Sequence, residues 1–159
     1  MKGYKVNFIV LILLLVFVFI AEQLQAASLV EYGVTDYKGF SVHDYLLTMD
    51  SGGATAEATS AAINGVVIAV ETDPGTTAPT ANYDLTITNP RGVDIMGGAL
   101  SNRSATATEI VPPTLGYASE VPTFGILTIR ATAGSQLVKN ATVRLRIFTR
   151  DEKKGVLTW

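Results

Sequence analysis

Residues 142–148 read TVRLRIF, and this stretch decides the fold class. In an extended chain Val143, Leu145 and Ile147 fall on one side and Arg144 and Arg146 on the other, because successive strand side chains point to opposite faces. Residues 83–88 (YDLTIT) repeat the pattern, with Tyr83, Leu85 and Ile87 opposed to Asp84, Thr86 and Thr88. In residues 127–131, Leu127 and Ile129 point inward against Thr128 and Arg130. One apolar and one wet face is the pattern of an antiparallel sheet packed on a second layer.

Working outward, residues 42–49, 66–71 (VVIAVE) and 93–96 are further strand candidates. Asn89-Pro90-Arg91-Gly92 supplies a turn, since Pro presets φ and Gly accepts positive φ. Nothing after residue 27 sustains the 3.6-residue period of a long amphipathic helix. Residues 54–62 (ATAEATSAA) are the sole helix candidate and read as loop or a single helical turn. Residues 73–82 and 112–122, broken by Pro, read as irregular connections. The expectation is an all-β fold, an antiparallel β-sandwich or small barrel of about six or seven strands. Its core is expected to hold Leu85, Ile87, Leu127, Ile129, Val143, Leu145 and Ile147, with Tyr83 and Phe148 also at core positions.

The N-terminus has another character. Residues 6–21 carry no charge, and Asn7 is their one polar interruption. Lys2 and Lys5 precede the run, and Glu22, Gln23 and Gln25 follow it. This is the layout of a signal peptide over residues 1–26, cut between Ala26 and Ala27. A retained membrane anchor through residues 6–21, an N-terminal hydrophobic helix, is the alternative; the run is shorter than the about 20 residues that usually span hydrocarbon. Residues 27–159 are expected to form one domain.

Charge and chemistry narrow the function. The chain has 12 basic and 14 acidic residues; without Lys2, Lys5 and Glu22 the remainder has 10 and 13, a net charge of −3. That balance argues against nucleic acid as partner, since phosphate affinity comes from clustered cations. Arg144, Arg146, Arg150, Lys153 and Lys154 are interrupted by Asp151 and Glu152 and read as a solvated face and tail. With no cysteine and the single histidine His43, neither a thiol mechanism nor a set of transition-metal ligands can be assembled. Asp50-Ser51-Gly52-Gly53 looks like a protease nucleophile motif, but its residue types belong to a turn. Asp36, Asp44, Asp50, Asp73, Asp84 and Asp94 are dispersed, without glycosidase or calcium-loop spacing. Asn102-Arg103-Ser104 and Asn140-Ala141-Thr142 match the glycosylation pattern, which matters only in a eukaryotic secretory pathway. No catalytic, cofactor-binding or metal-binding residue is therefore assigned, and no cofactor is expected.

Residues 83–109 (YDLTITNPRGVDIMGGALSNRSATATE), followed by the strands GILTIRATA and TVRLRIF, resemble small β-rich structural proteins encoded among tailed-phage virion genes. The likeness lies in Tyr83-Asp84-x-Thr86, in Val93-Asp94-x-x-Gly97-Gly98 and in Asn102-Arg103-Ser104, and it spans residues 83–147. It implies a virion component present in many copies, in contact with itself or with other structural proteins. The apolar N-terminus departs from that pattern, because such proteins fold in the cytoplasm. The leading expectation is thus a non-enzymatic structural assembly protein, exported or membrane-associated, on a virion or a cell surface, as part of a particle or an extracellular filament. The alternative is a secreted or periplasmic binding or adhesion module.

Overall fold

The structure, a computed structural model, describes residues 27–49, 55–114, 121–133 and 137–150. The apolar segment, the Asp50–Gly53 turn and the Lys153 and Lys154 positions lie outside these residues. The described chain is all-β: seven strands in one antiparallel sheet, with no helix among the described residues. They are β1 (Ser28–Tyr37), β2 (Phe40–Thr48), β3 (Thr55–Pro74), β4 (Asp84–Thr88), β5 (Glu109–Val111), β6 (Val121–Thr132) and β7 (Thr142–Arg150). The order across the sheet is β1-β2-β7-β3-β6-β4, with β5 beside β3.

β3 holds the two halves together. Its 20 residues pair with β6 through Thr55 to Val67 and with β7 through Val66 to Pro74. The first half covers residues 55–62 of the stretch 54–62, read from the sequence as loop or helical turn, and there the structure corrects that reading. Ala56 and Ser60 face inward while Glu57 and Thr59 face out, a period of two hidden by small side chains. A bulge between Thr59 and Ala62 interrupts the ladder, and the buried N–H of Leu127 donates to Ser60 Oγ at 3.0 Å. A side-chain hydroxyl thus takes over a backbone acceptor's role, so the bulge leaves that donor satisfied.

Residues 93–96 are also corrected: they form a turn, not a strand. Only Asp94 bridges, to Thr88, and its carboxylate accepts from the N–H groups of Met96 at 3.0 Å and Gly98 at 2.8 Å. The turn sends Ile95, Met96 and Leu100 into the end of the core, all fully buried. The Asn89 side chain closes the preceding turn by accepting from Arg91 and Val93. Two strands were not read from the sequence, β1 and β5. The irregular passage ends earlier than expected, since Val121 and Pro122 already belong to β6.

One apolar cluster draws on β2, β3, β4, β6 and β7. All seven aliphatic residues expected in the core are in it, as is Tyr83. Phe148 is not: it follows Ile147 and therefore points to the opposite face, where it stands 6.4 Å from Phe40. Burial pushes the phenols of Tyr45 and Tyr83 up to about 12, so both stay neutral in the interior.

Candidate interaction surface

The face of β1, β2, β7 and β3 that turns away from the core carries the most distinctive chemistry. Antiparallel register sets Arg146 on β7 between Asp44 on β2 and Glu71 on β3. Arg146 Nη1 pairs with Glu71 Oε1, and its Nε lies 3.7 Å from Asp44 Oδ2. Arg144 closes on the same carboxylate, with Nη2 donating to Asp44 Oδ2 at 2.5 Å and Nε to Oδ1 at 2.9 Å. The hydrogen bond from Arg144 holds the Asp44 carboxyl below its usual range, with burial opposing. Tyr32 of β1 adds its ring 5.9 Å from the Arg144 guanidinium carbon. The basic strand face read from the sequence is therefore largely neutralised by cross-strand partners about 100 and 75 residues away.

Apolar groups flank this band. Tyr37 stacks on Phe40 with ring centroids 4.8 Å apart, across the turn joining β1 to β2. Phe40, Ile68, Ala69, Ile110 and Phe148 line a shallow groove of about 230 Å³ beside them. On β1, Val30, Tyr32 and Tyr37 on this face, and Val34 on the opposite one, remain between 49% and 60% exposed, unusual for side chains of this size. β1 is a strand because it is rich in Val, Tyr and Thr, and its polar interruptions hid the pattern. Among the described residues its outer edge pairs with no other strand. The opposite edge of the sheet is closed. Leu85 N donates to Leu100 O, Ile95 N to Ile87 O, and Arg103 N to Tyr83 O, at 2.9, 2.8 and 2.7 Å, so a loop covers β4.

Among the described residues, those weighed for chemistry do not converge. His43 faces the core from β2, buried, with Nε2 3.1 Å from Thr149 Oγ1. Burial pulls its pKa down, while Glu31 and Asp36 of β1 act in the other direction. Among the described residues, no three His, Asp or Glu side chains gather as a metal site would require. Asp36 accepts from Ser41 Oγ, Asp73 from Thr108 Oγ1, and Asp84 from Asn102 N, each serving local structure. Asn102 and Asn140 both take left-handed φ in exposed turns. Comparison with family models, with curated proteins and with solved structures gave no match.

Proposed function

We propose that this protein is a non-enzymatic structural assembly protein, a virion component or an extracellular surface or filament subunit held by subunit–subunit contacts. The observation that carries this reading is the exposed Val30, Tyr32 and Tyr37 on the outer face of β1, continued through Phe40 by the Phe40–Ile110–Phe148 groove. Contiguous exposed apolar surface on a folded domain marks an interaction site. The resemblance of residues 83–147 to tailed-phage virion proteins points the same way. In this reading residues 1–26 direct export or anchor the chain in a membrane, and residues 27–159 form the assembling domain. The sheet folds over at β3 into a sandwich or small barrel, which the single core cluster and the approach of β1 to β3 support.

Sedimentation of the purified full-length protein, with electron microscopy of its native source, tests the reading. Multiple copies in a particle or fibre are expected. Ile110→Glu, at a residue 63% exposed, should leave the fold intact and reduce assembly. A monodisperse monomer at all concentrations would instead favour a binding or adhesion module using the same groove.

A further inference from the structure

We infer that a second copy of this chain pairs with β1, strand to strand and antiparallel, in a register centred on Thr35. The inference rests on the assembly reading and names one of the surfaces that performs it.

Openness of the edge comes first. From Val30 to Tyr37 every residue of β1 is exposed. Two other edges among the described residues are obstructed: a loop covers β4, and the first half of β6 carries Pro122 and packs Pro90 against Gly125. Proline supplies no N–H to a ladder and protects an edge from pairing.

Register follows from face and charge. A two-fold axis perpendicular to the sheet keeps each residue on its own face, so a residue of the regular stretch 33–37 must sit on the axis. Tyr32 is the extra residue of a bulge between Glu31 and Gly33, so Glu31 takes the next pairing place beyond Gly33. Centring on Val34 sets Glu31 opposite Asp36 of the other copy. Centring on Asp36 sets that carboxylate against itself. Like charges directly opposite destabilise a sheet. Centring on Gly33 gives no opposite-charge pair, and centring on Tyr37 sets strand residues against the Lys38–Gly39 turn. Centring on Thr35 avoids all of these: Thr35 faces Thr35, Val34 faces Asp36, Tyr37 covers Gly33, and Glu31 meets Lys38. Thr–Thr and opposite-charge cross-strand pairs are favourable, and an aromatic opposite glycine compensates for its missing side chain. Because the same edge is used on both copies, the contact closes at a dimer; further growth would need another surface.

The natural chain has no cysteine, so single replacements report unambiguously. Thr35→Cys in the full-length protein should give a disulfide-linked dimer under mild oxidation and no larger species. Val34→Cys and Asp36→Cys should cross-link poorly alone but readily when mixed, since each faces the other. Lys38→Glu should weaken the dimer by about 2- to 30-fold through its two symmetric ion pairs, and Glu31→Lys in the same chain should restore it. A wild-type protein larger than a monomer whose Thr35→Cys form does not cross-link would overturn this interface and leave the assembly reading standing. A monomer throughout would overturn both.

Discussion

His43 shows how a lone buried titratable residue couples stability to pH. It is buried against Thr149, and burial disfavours the imidazolium in the folded state. A folded-state pKa below the unfolded value of about 6.5 means that unfolded chains bind the proton first. The stability contribution is complete above that value and is lost as pH falls through the lowered one. We therefore expect the melting temperature to drop between pH 7.5 and pH 5.5, and to drop less in His43→Gln. Equal drops in the two proteins would show that His43 is not the group responsible. Asp44 acts further down the scale. Its carboxyl is held low chiefly by Arg144, so that pairing persists until pH falls below the usual carboxylate range. Gly65 makes a steric case of its own. Its φ is +150°, and a Cβ there would lie 2.9 Å from the carbonyl oxygen of Arg150. Gly65→Ala should cost about 1–3 kcal/mol in chemical denaturation, from strain and overpacking together.

At the scale of the element, legibility depended on side-chain size. β4 and β7 were readable because Leu85, Ile87, Val143, Leu145 and Ile147 alternate with polar residues in unbroken runs. The first half of β3 was not, because Ala56, Ala58 and Ser60 carry the inward positions and give little hydrophobic contrast. Nor could the turn at residues 93–96 be told from a strand, since Val93, Ile95 and Met96 are apolar in either conformation. The surface band of Asp44, Arg144, Arg146 and Glu71 depends on register between strands distant in sequence, which no local pattern encodes. The bulge in β3 yields a direct test. Ser60→Ala would leave the buried N–H of Leu127 without its acceptor, at a cost of about 1–3 kcal/mol. Amide exchange should quicken at Leu127 more than at Ile129, which lies further along β6. Unchanged exchange at Leu127 would mean that another acceptor replaces the hydroxyl.

For the whole molecule, the decisive feature is that β3 belongs to both halves of the sheet. Its first half carries β6, and through it β4; its second half carries β7, and through it β2 and β1. Had each half owned its own core, the two could melt separately. Instead Leu47 of β2 and Ile87 of β4, from opposite sides of β3, belong to one buried cluster. Loss of packing on either side removes partners from the other, which couples the halves energetically. We therefore expect a single thermal transition, with far-ultraviolet circular dichroism and the near-ultraviolet signal of buried Tyr45 and Tyr83 coinciding. Leu47→Ala and Ile87→Ala should each cost about 2–5 kcal/mol and lower that one midpoint by about 5–15 °C. Neither should split the transition. If Ile87→Ala produced an early melting phase that left the β1-β2-β7 side intact, the halves would be separable units and β3 a hinge between them.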